Sequence, residues 1–303
     1  MSAALVAAAR ERPLLLDGGL GTELEAQGAA VDSALWSARV LLDEPERIVA
    51  AHRAFADAGA RVAVTASYQV SASGFAAAGL APGLVEHALR ESVALARRAQ
   101  SGWVAASVGP YGASLGDGSE YRGDDNLTVD ELTAWHRPRL EALAAASPDL
   151  LAVETIPSVR EVRAVVAALA GSPVPAWICV SGRSGRTAAG EPLADAFAVA
   201  TASTEVIGVG VNCCPPGDVA EAVRIARSVT DKLVVVYPNS GEEWDAVDRR
   251  WTGDAAFDPA LVASWRADGA DLIGGCCRVG PAAIAALSRS LECSSASSPP
   301  AVP

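Results

Sequence analysis

Short apolar runs, often β-branched, alternate along the chain with longer segments whose apolar positions recur every three or four residues. This alternation predicts strand–helix units. It occurs eight times, with strands predicted over 13–17, 61–67, 103–108, 150–154, 176–181, 206–212, 233–238 and 271–275. Near-continuous apolar stretches such as KLVVVYP suit strands covered on both faces, as in parallel sheets. The helices between them carry start and stop signals. Asp43 with Pro45 marks one start and Gly59 its stop. Thr128 with Glu131, Ser158 with Glu161 and Asp218 with Glu221 have the spacing of capping boxes. Asp258 followed by Pro259 opens a further helix that Gly269 closes. Eight such units with no break in composition predict an α/β fold, a single (β/α)8 TIM barrel, in preference to a doubly wound open sheet.

A barrel of this kind takes about 250 residues. That assigns 13–292 to the barrel, 1–12 to an N-terminal lead-in and the Ser- and Pro-rich 293–303 to a disordered tail. The charge balance, 24 basic against 36 acidic residues for a net of −12, argues against nucleic-acid or anionic-membrane surfaces. It is compatible with a cationic small molecule. No apolar run approaches about 18 residues without charge, so no membrane span is predicted. The opening MSAALVAAA lacks a basic start and soon meets Arg10, Glu11 and Arg12, unlike a secretory signal, so a cytoplasmic protein is expected. There cysteines stay reduced, and clustered cysteines point to metal or catalysis more than to disulfides.

The segments that follow the strands read DGGLGTE, TASYQ, GPYGA, ETIP, SGRSG, NCCPP, YPNSG and GGCCR. Polar, Gly-rich and cysteine-bearing stretches thus recur at the carboxyl ends, where barrels assemble active sites. Of the six cysteines, Cys213–Cys214 and Cys276–Cys277 form adjacent pairs after the sixth and eighth strands. Three or four thiolates meeting above the barrel axis would form a tetrahedral zinc site. On the residues alone two arrangements stay open. All four cysteines could close a structural site, or three could leave a free position for catalysis, and Cys214 decides between them. Cys179 reads as a buried, inert thiol. His52, His87 and His136 fall in predicted helices on the outer ring, away from the strand ends, as surface or helix-packing residues. Neither histidine ligation nor a Ser-His-Asp triad is expected.

These segments resemble the homocysteine S-methyltransferase family, in particular its shorter bacterial and plant members that use S-methylmethionine. The matching stretches are DGGLGTELE (17–25), DSALWSARVL (32–41), TASYQVSASGF (65–75), SVGPYGA (107–113), DGSEYRGD (117–124), HRPRLEAL (136–143), ETIP (154–157), GVNC (210–213), VVYPNSGEEWD (235–245) and IGGCCR (273–278). GVNC together with GGCC is the specific part. The resemblance implies a zinc-bearing barrel whose metal, at the carboxyl face of the strands, is held by Cys213, Cys276 and Cys277, with Cys214 a bystander. It implies that Asp17 and Glu154 hold the amino acid substrate, with Thr65, Asn212 and the Gly18–Gly19 backbone beside them. Asp125, Asn126 and the 181–193 loop depart from the family pattern, and either departure could shift donor preference.

The implied reaction moves a methyl group from a sulfonium donor, S-methylmethionine first and S-adenosylmethionine second, to the thiol of homocysteine, giving methionine. Zinc coordination would hold that thiol as the nucleophilic thiolate near neutral pH. A neutral thioether departs and needs no proton, so the lack of a histidine acid is consistent. Asp17 and Glu154 would pair with the substrate ammonium, and the Gly18–Gly19 N–H groups could receive its carboxylate. Tyr68, Tyr111, Tyr121 and Trp244 are candidates to meet the sulfonium through cation–π attraction. Arg183 and Arg186 read as a solvated loop. Betaine fits less well, because the chain ends soon after the eighth helix. The alternatives are another small thiol or selenol as acceptor, or a non-catalytic binding barrel stabilised by a four-cysteine zinc.

Overall fold

The computed structural model describes residues 2–29, 37–99, 102–245, 250–255 and 257–295. The expected tail beyond 295, residues 32–36 of the DSALWSARVL stretch, and the side chains of Trp244 and Cys293 lie outside the described residues.

Eight parallel strands form the sheet: β1 Leu14–Leu15, β2 Val62–Val64, β3 Trp103–Val108, β4 Leu150–Ile156, β5 Ala176–Val180, β6 Val206–Asn212, β7 Leu233–Tyr237 and β8 Leu272–Ile273. From β2 to β8 each pairs in parallel with the next, and β8 pairs in parallel with β1. Leu16 bridges Val62, and Arg61 N–H donates to Leu15 O at 2.8 Å, which brings the first two strands together and closes the ring. β3 and β6 match their predicted spans residue for residue, whereas β1, β2 and β8 are shorter than predicted.

Hydrophobic residues divide between the two sides of this ring. Leu14, Ala105, Leu150, Trp177, Val235 and Leu272 fill the interior. Outward-facing residues such as Val104, Val153, Ile178, Val209 and Val234 pack against the surrounding helices. The segment read only as a lead-in is a helix, Ser2–Glu11, that buries Leu5 and Ala9 against the interior cluster. Burying a leucine side chain contributes about 1.5–3 kcal/mol, so this helix adds to stability by covering apolar groups inside the barrel. At the amino ends of β4 and β8, Asp149 accepts Val104 N–H and Asp271 accepts Val234 N–H, each at 2.8 Å. Arg97 pairs with Asp149 and Arg227 with Asp271, so these buried carboxylates are compensated.

The capping predictions divide. Thr128 and Glu131 form the full capping box predicted, whereas of the Ser158–Glu161 box only half forms: Ser158 accepts Glu161 N–H, but the Glu161 carboxylate goes to Tyr111 N–H and His136. Gly269 ends Leu261–Asp268 in the left-handed conformation at φ 111°. Asp218 instead turns its carboxylate to Ser184 N–H and caps nothing with its side chain, and Asp43 ends one helix and pairs with Arg39 while Glu44 precedes Pro45. In both cases a partner outside the predicted motif takes the carboxylate. Among the described residues no helix is long and apolar enough to cross a membrane.

Candidate active site

The strand ends are irregular where the chemistry gathers. Near the end of β4 the pairing register with β5 shifts between Val153 and Ile156, and Thr155 takes φ 60°. A β-bulge re-aims side chains in this way, and here Glu154 and Thr155 line a cavity of about 110 Å³. Asn212, the last residue of β6, fixes the bulge: its Oδ1 accepts Thr155 N–H at 2.7 Å and its Nδ2 donates to Thr155 Oγ1 at 2.8 Å. Asn212 lines the cavity, and its amide is engaged with Thr155.

The next residue, Cys213, has φ 48°, a conformation costing a non-glycine residue about 1–2 kcal/mol. Such strain persists where surrounding contacts over-determine it. Cys213 N–H donates to Tyr237 O, Cys276 N–H to Pro238 O at 2.7 Å, and Ser240 N–H to Cys277 O. Asn239 Oδ1 accepts Cys277 N–H at 3.2 Å. The loops after β6, β7 and β8 are thereby joined, and the Sγ atoms of Cys213, Cys276 and Cys277 all lie within 4.8 Å of one another. Around a tetrahedral metal with metal–sulfur bonds of about 2.3 Å the sulfurs would stand about 3.8 Å apart. Cys213 and Cys277 are at 3.8 Å, and Cys213 and Cys276 are closer, at 2.6 Å. Three soft donors on hydrogen-bonded loops fit a thiophilic divalent ion. Hydrogen bonds from Cys276 and Cys277 bring the Cys213 thiol down, and hydrogen bonding to Cys213 pushes the other two up. Cys214 points away: it is buried in the hydrophobic core beneath the helices, and burial raises its thiol. Cys179 lies inside the barrel, equally buried.

Asp17 and Glu154 face the same cavity as the three sulfurs. Asp17 Oδ2 accepts Val64 N–H at 2.8 Å. Burial raises the Asp17 carboxyl well above its ordinary range, and the Glu154 charge adds to the rise. Burial also pushes Glu154 up to about 7, against a hydrogen bond from Ser107 Oγ. Thr65 lines the cavity too, and its Oγ1 accepts Ser107 N–H at 3.0 Å. The cavity lining contains no lysine or arginine among the described residues. Its walls therefore present acid groups and thiols with no protein cation to compensate them.

Gly18 and Gly19 line the cavity, but the turn has a packing reason. A Cβ on Gly18 would stand 2.2 Å from Val279 O, and one on Gly19 would stand 2.5 Å from Cys276 O. Gly19 N–H already donates to Val279 O at 2.9 Å, so it is not open to a substrate carboxylate as the sequence suggested. The exposed His87 and the helix-packed His136 are as expected, and His52 alone departs from expectation. His87 is exposed, whereas His52 and His136 are completely buried. His52 is not remote from the strand ends: its Nδ1 stands 4.0 Å from Asp17 Oδ2.

Several supporting residues escaped sequence reasoning. Arg139 is buried in the helix Val129–Ala145 and donates to Gly109 O and Tyr68 O, each at 3.0 Å. Glu161 accepts Tyr111 N–H at 2.6 Å and pairs with His136 at 2.9 Å. Charged residues within otherwise packed helices were the available signal. Tyr237 lines the cavity where β7 ends, and Ser107 reaches Glu154 from β3. Of the aromatic candidates, Tyr68 and Tyr121 line the cavity. Tyr111 is instead turned against Trp135, with ring centroids 5.4 Å apart. Arg186 is exposed on a short hairpin, as a solvated loop requires.

A family model described as homocysteine S-methyltransferase matches residues 14–291. The chain is 43% identical over 290 residues to the homocysteine S-methyltransferase of Escherichia coli K12, covering 90% of this chain and 94% of that one. It is 41% identical over 304 residues to homocysteine S-methyltransferase 1 of Brassica oleracea, covering 92% and 93%. The crystal structure of the metallated form of the homocysteine methyltransferase MmuM from Escherichia coli superposes with a TM-score of 0.82 at 41% identity, covering 91% of this chain and 96% of that one.

Proposed function

This chain belongs to the homocysteine S-methyltransferase family and transfers a methyl group to homocysteine, and we propose that its donor is a sulfonium and its metal Zn²⁺, held by Cys213, Cys276 and Cys277. The observation that carries this reading is the meeting of three cysteine sulfurs and two buried carboxyls on one cavity without a basic side chain. Such a lining suits a ligand that brings its own positive charge. A soft metal supplies part of it, and an amino acid's ammonium the rest.

Zinc bound there supplies Lewis acidity that keeps the homocysteine thiol ionised near neutral pH. The chain's own residues bind and orient. Asp17 and Glu154 receive the substrate ammonium, which draws both carboxyls to their ionised forms. Thr65 and Asn212 hold the surrounding backbone, and the clamp on Thr155 keeps Glu154 directed at the cavity. The attacking sulfur and the departing sulfur need only be aligned about the methyl carbon. Because a sulfonium departs as a neutral thioether, no general acid is required, in keeping with the absence of a histidine from the cavity lining.

S-methylmethionine is the first choice of donor and S-adenosylmethionine the second. The rival with a closed four-cysteine zinc is disfavoured by Cys214, whose side chain packs in the core away from the other three. Side-by-side assays with S-methylmethionine, S-adenosylmethionine and betaine test the donor. X-ray absorption of the zinc protein tests the site: added homocysteine should contribute a fourth sulfur. An unchanged sulfur count, or methyl transfer from betaine alone, would overturn the reading.

A further inference from the structure

A second cavity of about 470 Å³ meets the first at two residues, Cys213 and Tyr121, which line both. The Tyr121 hydroxyl stands 4.0 Å from Cys213 Sγ at this junction. The second cavity opens between the loop after β3, the hairpin 182–187 after β5 and the loop after β7. We infer that this cavity takes the methyl donor as an α-amino acid sulfonium, with Glu242 receiving the donor's ammonium group. The inference rests on the function proposed above and extends it to a site for the second substrate.

Three observations support it. First, the reaction needs two sulfurs on opposite sides of one methyl carbon, so the donor must reach the metal site from a space other than the acceptor's. The cavity that shares Cys213 with the acceptor pocket provides that approach. Second, sizes differ in the required sense: the acid-lined pocket has about 110 Å³, while the 470 Å³ of the second cavity lies within the ordinary range for ligand sites. Third, the charges differ. The acceptor pocket has no basic side chain, whereas the second cavity has Arg122 and Arg183 with Glu242 as its one carboxylate among the described lining residues. A zwitterionic headgroup matches walls bearing both signs. Neighbouring side chains fix the Glu242 carboxylate in position. Ser240 Oγ donates to its Oε2 at 2.8 Å, Arg278 Nε lies 3.3 Å from the same oxygen, and the side chain is 16% exposed.

The step balances without another reactant. A lone pair of the homocysteine thiolate forms the new S–CH₃ bond as the donor's C–S⁺ bond breaks, and that electron pair stays on the donor sulfur. Two neutral thioethers result, and the thiol proton has already passed to solvent.

Steady-state kinetics of the zinc-loaded protein test the assignment, with S-methylmethionine and S-adenosylmethionine as separate arms. Glu242→Gln keeps the shape and the Ser240 contact but removes the charge, and Ala188→Trp narrows the cavity away from the metal. Both should raise the donor KM about tenfold or more while the homocysteine KM and zinc content stay unchanged. In Ala188→Trp the rise should be larger for the adenosyl donor. A rise confined to one donor in both variants would support the site and identify that sulfonium as its ligand. If the wild-type protein is active and neither variant moves a donor KM, or if the homocysteine KM rises in step, the second cavity is not the donor site. A wild-type protein inactive with both donors would remove the underlying reading, and this one with it.

Discussion

Asn212, at the end of β6, clamps Thr155 of β4, accepting its N–H at 2.7 Å and donating to its Oγ1 at 2.8 Å. The residue before Cys213 thereby holds the residue after Glu154, so the proposed metal ligand and the proposed substrate carboxylate share one support. Asn212→Ala should destabilise the protein by about 2–4 kcal/mol, because two buried hydrogen bonds are lost and a buried N–H is left unpaired. The homocysteine KM should rise with it. Urea unfolding and kinetics check both, and a variant as stable as the parent would show the clamp to be dispensable.

The pH dependence of stability in the metal-free protein should have two opposing parts. Burial pushes Glu154 up to about 7 and lowers His52 to about 4. For Glu154 the folded state holds a proton that the unfolded chain loses above about 4.5, so its contribution is full at low pH and is lost as pH rises through 7. For His52 the unfolded chain takes a proton below about 6.5 that the folded state refuses, so stability is lost as pH falls through 4. Each is worth on the order of 3 kcal/mol at a full shift of this size. Asp17, also raised by burial, adds to the Glu154 direction. Relative to the parent, Glu154→Gln should lose stability on acidification from pH 7 to 5, and His52→Phe should gain it. Denaturant titrations across that range provide the measurement, and parallel profiles for the three proteins would contradict the assignment.

His52→Phe bears on a further point. Neither ring nitrogen of His52 has a hydrogen-bond partner, and replacing an unpaired buried polar group by an apolar one of similar shape is near neutral or stabilising. At pH 7.5 its unfolding free energy should stay within about 1 kcal/mol of the parent. A loss of several kcal/mol would mean that the 4.0 Å approach to Asp17 is a stabilising contact.

Cys276→Ala should lose zinc and activity together and keep a folded barrel, because its Sγ belongs to the mouth cluster. Metal analysis and far-ultraviolet circular dichroism distinguish this from unfolding. Chelation of the parent should lower Tm, since a ligand bound only by the folded state stabilises it by mass action, without abolishing helical signal.

Cys214→Ser should retain zinc and methyl transfer. It should also lose about 1–3 kcal/mol of stability, since a hydroxyl would replace a thiol in a 2% exposed core position. Loss of zinc in this variant would return Cys214 to the ligand set.

Much of this molecule was legible in its sequence for local reasons. Strand and helix periods are set by neighbouring residues, so the eight strand–helix units, the Thr128 capping box and the Gly269 stop could be read directly. Asp218 could not, because the Ser184 N–H that engages it lies 34 residues away in sequence. Arg139 and Glu161 escaped for the same reason: what they hold is the backbone of other loops.

The cysteine pairs mark the boundary most clearly. The sequence by itself determined that thiols would gather where the sixth and eighth strands end, because barrel closure brings those ends to one mouth. The tertiary structure decided which of them face it. At Cys213 the backbone turns to φ 48° and its Sγ joins those of Cys276 and Cys277, while Cys214 packs into the core. That division depends on the loop after β7, whose Asn239 N–H donates to Cys214 O and whose Asn239 side chain accepts Cys277 N–H. Contacts between segments this far apart in sequence carry no local pattern, so only the folded chain reveals them.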